Sequence, residues 1–397
     1  MQHMTPTYLV HPADIETGTY RNINGNLATA WGLLAAAEKS GLELFLGSYP
    51  ITPATDILSA LSERKDLGVK TFQAEDEIAG ITSAIGAAFA GKLAVTSTSG
   101  PGLALKSEAI GLAVMAELPL VVVNVQRGGP STGLPTKTEQ SDLFQALYGR
   151  NGESPVVVLA ASTPSDCFWY AFMAAKIALE RMVPVILLTD GFLGNGSEPW
   201  KIPSMAEMPS ITPRIATEAA SFKAYKRDSE TLSRDWAFPG MKGFEHIIGG
   251  LEKNITGSVS HDPDNHQKNT EIREGKVQRV AQMVPDLEVY GDDEGDVLVV
   301  GWGGTYGHLI SSVRRLRREG KNVSLAHFNY IKPLPKNTAD VFKNFKKILV
   351  CELNLGQFAG YLRDEVPGFD YHQYNKVKGL PFTVNELKQS IEKLLEE

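Results

Sequence analysis

Three stretches constrain this chain more than anything else in it. Residues 120–125, 156–160 and 183–189 are almost wholly apolar and rich in β-branched side chains. A strand without polar alternation must be covered on both faces, and helices are what cover it, so the runs predict a parallel sheet between helical layers. Shorter apolar runs at 44–46, 69–72, 93–97, 297–300, 323–328 and 347–351 alternate with segments of helical spacing such as 27–34 and 164–181. The fold class is α/β. Prolines, glycines and charges without period interrupt the pattern from about residue 198 to 266. Four regions follow: an irregular leader over 1–20, a first parallel-sheet domain over 21–197, an irregular extension with a helix at 270–283 over 198–285, and a second α/β domain over 286–397.

Composition narrows the function. A net charge of −7 gives no electrostatic footprint for nucleic acid. No apolar run is long enough to span a membrane, and the polar N-terminus lacks the basic and apolar regions of a signal peptide. The two cysteines, Cys167 and Cys351, exclude a self-contained iron–sulfur or zinc–thiolate site and fit a reducing cytoplasm. No metal site is expected on this chain. The His261-Asp262-Pro263-Asp264-Asn265-His266 run reads as a polar surface turn. Two nucleotide fingerprints also fail. Gly86, Gly91 and Lys92 begin a phosphate loop, but Leu93 replaces the hydroxyl residue and the order is helix then strand. Gly301 and Gly303 begin a dinucleotide fingerprint, but Tyr306 takes the third glycine position.

Polar, glycine-rich loops follow the apolar strands, at the end where open α/β sheets bind ligands. The loop Gly47-Ser48-Tyr49-Pro50-Ile51-Thr52-Pro53 is stiffened by two prolines, with Thr52 at an N-cap position and Pro53 at the first helical position. It is either a capped turn or a rigid platform for a small substrate. Glu75-Asp76-Glu77 opens a helix, where acids complement the dipole; three exceed that need, and their apolar flanks point to a buried carboxylate. Thr98-Ser99-Gly100-Pro101-Gly102 offers hydroxyls and free N–H groups. Arg127 ends an apolar strand, which calls for a carboxylate partner or an anionic ligand. Beyond it, the loop through Thr132 brings a second cation, Lys137.

These loops, in this order and at these spacings, resemble the α subunit of 2-oxoacid:ferredoxin oxidoreductases, most closely the 2-oxoglutarate branch. The likeness extends through Thr189-Asp190-Gly191, Gly301-Trp302-Gly303, Asn354-Leu355-Gly356-Gln357 and Lys378-Gly379-Leu380-Pro381-Phe382, so it covers nearly the whole chain from about residue 20. It implies two doubly wound domains, a pyrimidine-type thiamine diphosphate-binding domain and a transketolase C-terminal-like domain. It implies thiamine diphosphate shared with a β subunit that carries Mg2+ and a 4Fe–4S cluster, in an (αβ)2 assembly. The implied reaction is oxidative decarboxylation of 2-oxoglutarate with coenzyme A to succinyl-CoA, with electrons passed to ferredoxin. By match to the family's motifs, Glu75 holds the pyrimidine ring nitrogen, beside Tyr49, Pro50 and Ile51. Thr52 contacts the 2-oxo acid head, and Arg127 pairs with the substrate carboxylate. Lys137, with Ser48 and Thr132, is the candidate partner for a distal carboxylate. Many relatives carry a coenzyme A-binding domain ahead of this region; either a separate subunit supplies it or the acyl acceptor is handled differently. The alternatives are the same chemistry on pyruvate, a branched-chain or an aromatic 2-oxoacid, or a non-catalytic scaffold subunit.

Overall fold

A computed structural model of the chain describes residues 14–397; residues 1–13 of the expected leader lie outside the described part. In chain order the elements begin with β1 (Tyr20–Asn24), α1 (Gly25–Ser40), β2 (Leu44–Ser48), α2 (Thr55–Ser62), β3 (Lys70–Gln73) and α3 (Glu77–Phe89). Next come β4 (Leu93–Thr98), α4 (Gly100–Leu105), α5 (Ser107–Ala116), β5 (Leu120–Gln126), α6 (Leu143–Tyr148) and β6 (Val157–Ala160). Then follow α7 (Asp166–Arg181), β7 (Pro184–Asp190), α8 (Gly191–Asn195), β8 (Ser197–Lys201), α9 (Pro263–Arg279) and β9 (Val289–Tyr290). The chain closes with β10 (Gly295–Trp302), α10 (Tyr306–Arg318), β11 (Val323–Phe328), β12 (Tyr330–Lys332) and α11 (Thr338–Lys343). Its last elements are β13 (Phe345–Glu352), α12 (Gln357–Glu365), β14 (Tyr371–Asn375) and α13 (Val384–Glu396).

The apolar runs pair as their composition demands. A seven-stranded sheet has the order β12-β6-β7-β5-β4-β2-β3, parallel except for β12 at one edge. Strands β4, β5, β6 and β7 are buried at every position. One face of this sheet packs under α1 and α7, with Leu33, Phe172, Ile177 and Val185 in the same core. The other face shares a core with the second sheet, where Val158 and Ile186 meet Leu298, Val300 and Phe358. Each such aliphatic side chain contributes about 1.5–3 kcal/mol by leaving water. The second sheet has the order β14-β13-β10-β11-β9, parallel except for the β9 edge.

Four local expectations need correction. Thr52 does not cap a helix: the Thr52–Pro53 peptide is cis, and α2 begins only at Thr55, whose hydroxyl accepts from the Ile51 N–H at 2.8 Å. The segment expected to be irregular from residue 198 opens instead with most of a strand, β8, paired antiparallel with Tyr20–Asn24, and Asn24 caps α1 through Leu27. The helix expected at 270–283 starts earlier, because Asp262 accepts from the N–H groups of Asp264 and Asn265 and Pro263 takes the first helical position. The histidine-rich run is thus a helix start. Among the described residues, no group of three or more His, Cys, Asp or Glu side chains is placed to hold a metal ion. No helix of the described residues is long and apolar enough to cross a membrane.

The extension between the sheets is fastened by charge. Glu117, two per cent exposed, pairs with Lys276 and Arg227, while the Arg234 guanidinium donates to the Glu117 carbonyl at 3.2 Å. Burial pushes the Glu117 carboxyl up, but Lys276 and Arg227 outweigh it and hold it at about 2.

Candidate active site

Strand order reverses at β2 in the first sheet and at β10 in the second, which places one crevice between β2 and β4 and another between β10 and β13. The second crevice is filled. Gln140, fully buried, donates its side-chain amide to the Trp302 carbonyl at 2.7 Å and accepts from the Leu353 N–H at 2.9 Å. Its own carbonyl accepts from Asn354 at 2.9 Å. Glu352 is likewise spent on Trp302 and on the N–H groups of Phe358 and Ala359. Gly304 lets Asp190 come close, since a Cβ there would sit 2.1 Å from its carboxylate.

The first crevice is tied at its floor and open at its rim. The Tyr49 hydroxyl donates to Glu77 at 2.8 Å and meets the Thr98 hydroxyl at 3.0 Å. Gly102 makes the room, because a Cβ there would lie 2.0 Å from Thr98 Oγ1 and 2.3 Å from the Tyr49 oxygen. Burial pushes the Tyr49 phenol upward, so it stays a donor. Asp76 caps α3 by accepting from Ala79 at 2.8 Å. The buried carboxylate expected in the 75–77 run is not found: Glu75 and Asp76 are exposed and Glu77 is half-buried. Glu75 accepts no hydrogen bond from the described residues, and Phe72 and Ile78, three residues away on either side in sequence, are exposed.

Arg127 is five per cent exposed and donates to the Thr52 carbonyl at 2.6 Å. It forms no ion pair among the described residues, and its Nε is buried without a partner. It lines a cleft of about 690 Å³ together with Gly100, Ser131, Glu139, Asp142 and Asn354. Among the cleft's lining residues Arg127 is the one cation. Burial pushes the Asp142 carboxyl up, while Asn124, Ser141 and Arg127 pull it back. Burial also raises Glu139, against the N–H groups of Gly379 and Gly129.

The remaining candidates are more scattered. Pro50 is exposed and Ile51 packs on the first core. Ser48 is turned inward, its hydroxyl 2.8 Å from that of Ser97. Thr132 and Lys137 are exposed on the loop whose residues 129–131 line the cleft, and Lys137 packs beside Gly379. Two features escaped sequence reasoning. One is the share of the cleft given by the second sheet through Leu353, Asn354 and Leu355. The other is Lys106, fully buried beneath the Glu75–Glu77 turn, whose signal was a single lysine in a run of small and apolar residues.

Residues 36–260 match the family model described as pyruvate flavodoxin/ferredoxin oxidoreductase, thiamine diP-binding. The chain is 52% identical to the 2-oxoglutarate oxidoreductase subunit KorA of Mycobacterium tuberculosis over 97% of its own length and 59% of the relative's. It superposes with a TM-score of 0.90 and 36% identity on the 2-oxoglutarate:ferredoxin oxidoreductase from Magnetococcus marinus, solved with 2-oxoglutarate, coenzyme A and succinyl-CoA bound; the match covers 95% of this chain and 65% of that one. The chain thus spans about two thirds or less of these two proteins. A split-gene transketolase, with a TM-score of 0.54 and 13% identity, shares the fold alone.

Proposed function

We propose a function from a plain premise: the chain belongs to the 2-oxoacid:ferredoxin oxidoreductase family, as an α subunit most like the 2-oxoglutarate branch. In this reading it acts with an iron–sulfur β subunit in the oxidative decarboxylation of 2-oxoglutarate, forming succinyl-CoA and carbon dioxide and reducing ferredoxin. The observation that carries the reading is the pairing of two unspent charges at the carboxyl end of one sheet. Arg127 is buried with an unpartnered Nε, and the Glu75 carboxylate accepts no hydrogen bond from the described residues.

The residues fit one half of thiamine diphosphate. A carboxylate that accepts no hydrogen bond among the described residues, on a turn tied to Tyr49 through Glu77, suits an aminopyrimidine ring. In this reading the diphosphate with its Mg2+, and the 4Fe–4S cluster, are held by the β subunit. When bound, the cofactor supplies the carbon nucleophile and the electron sink that decarboxylation of a 2-oxoacid requires.

The chain's own part is binding, orientation and proton placement. Glu75 holds a pyrimidine ring nitrogen by a hydrogen bond that strengthens once the partner subunit excludes water. Tyr49, through Glu77, fixes the helix start that carries Glu75. Arg127 receives the substrate 1-carboxylate, for which its free Nε and planar fork are suited. Thr52, whose carbonyl steadies Arg127, presents its exposed hydroxyl to the 2-oxo acid head. A second carboxylate needs a second cation, and Lys137 on the rim loop is the nearest in sequence, with Thr132 as a hydroxyl donor; Ser48 supports the floor from beneath. The test is the complex purified with its β subunit and assayed for viologen reduction on a panel of 2-oxoacids with coenzyme A. Preference for 2-oxoglutarate is expected; preference for pyruvate, a branched-chain or an aromatic acid would reassign the substrate.

A further inference from the structure

We propose that Lys106 is a positioning residue for Glu75, holding the acidic turn from beneath through the Glu77 carbonyl and the Tyr49 ring. The proposal rests on the reading of Glu75 given above. Lys106 stands at the junction of α4 and α5, with no exposed surface. Its ammonium donates to the backbone carbonyl of Glu77 at 2.7 Å and lies 5.2 Å from the centre of the Tyr49 ring. It forms no ion pair among the described residues. Gly102 lets the acidic turn pack this closely, because a Cβ there would lie 2.9 Å from Glu77 Cγ.

Stability alone does not account for a cation at this point. The first turn of a helix is the positive end of its dipole, where an ammonium is disfavoured. A buried ammonium with one neutral acceptor is also costly. Burial pushes its pKa down to about 8, while Glu77 and Asp76 pull it back up. What offsets the cost is the acidic run itself. Lys106 answers the charge of Asp76 and Glu77 from below, fixes the carbonyl of the first helical residue, and holds the Tyr49 ring whose hydroxyl grips the Glu77 carboxylate. Glu75 lies two residues upstream on the same turn, so its direction is set by that clamp. Tyr49, Asp76 and Glu77 are the titratable groups facing the ammonium.

The test uses the complete complex with Lys106→Met, Lys106→Arg, Glu75→Gln and the double variant Glu75→Gln/Lys106→Met. Lys106→Met should weaken thiamine diphosphate binding to the apo-complex about tenfold and lower kcat about tenfold, the lower end of what orienting partners of a binding group contribute. The KM for 2-oxoacid, set by Arg127, should stay within about twofold, a split that general destabilisation does not produce. Lys106→Arg should recover most of both losses. The double variant should be no worse than Glu75→Gln, because residues acting through one group are not additive. If Lys106→Met does not fold, Lys106→Gln, which keeps a donor without the charge, replaces it. Unchanged cofactor affinity and kcat in the uncharged variant, or fully additive losses in the double variant, would overturn the proposal. Near-normal turnover in Glu75→Gln would instead remove the reading of Glu75, and the proposal with it.

Discussion

The two crevices of this molecule arise from the same topology and have opposite fates. Between β10 and β13 every polar group named above has a partner: Gln140 bonds to both strand ends, and Glu352 is spent on three donors. Around the first crevice the floor is equally well tied, but Arg127, after β5, keeps a buried Nε without a partner, and Glu75, after β3, accepts no hydrogen bond from the described residues. A switch point is therefore only an opportunity. It becomes a binding site where the loops withhold partners from their charged groups, and a joint where a neighbouring loop supplies them.

The largest expected effect is at Arg127. Arg127→Met should lower kcat/KM for 2-oxoglutarate by about 2–5 kcal/mol, the cost of removing one member of a desolvated charge pair, with little change in thermal unfolding. A loss of stability as large as the loss of activity would make Arg127 a structural residue and erase the contrast. Gln140→Leu sharpens the contrast from the other side. It should destabilise the chain by about 1–3 kcal/mol by stranding the Leu353 N–H and leaving the Trp302 carbonyl with only the Thr305 hydroxyl as side-chain donor, read as a lower denaturant midpoint with cofactor affinity within about twofold. An unaltered midpoint would mean that the second crevice needs no plug. The smallest effect belongs to Lys137. As an exposed lysine its charge is screened, so Lys137→Met should cost 2-oxoglutarate use about 0.2–1 kcal/mol and leave 2-oxobutyrate, which has no distal charge, unaffected. Equal losses on both substrates would take Lys137 out of substrate selection.

Much of the fold was legible because burial on both faces writes itself into sequence. The runs at 120–125 and 183–189 lie at the heart of the first sheet in registered parallel pairing. Edge strands were not legible. β12 is three residues long and joins the first sheet from the second half of the chain, and β1 pairs with β8 across most of the first domain. Neither carries a local period to detect. At the site, the residue types of Glu75 and Arg127 were readable, because an acid run at a helix start and an arginine at an apolar strand end each demand an explanation. Their surroundings were not. Only the fold sets Lys106 beneath Glu77, 29 residues away in sequence, and Gln140 against Trp302, 162 residues away.

The central proposal is that this chain carries the pyrimidine half of a two-subunit site. The direct measurement compares the purified chain with the chain plus its β subunit. Both are given thiamine diphosphate, Mg2+, coenzyme A and 2-oxoglutarate, with viologen as the electron acceptor. The account predicts no 2-oxoglutarate-dependent viologen reduction by the chain alone and full turnover when the β subunit is added. Turnover by the isolated, cluster-free chain would contradict it.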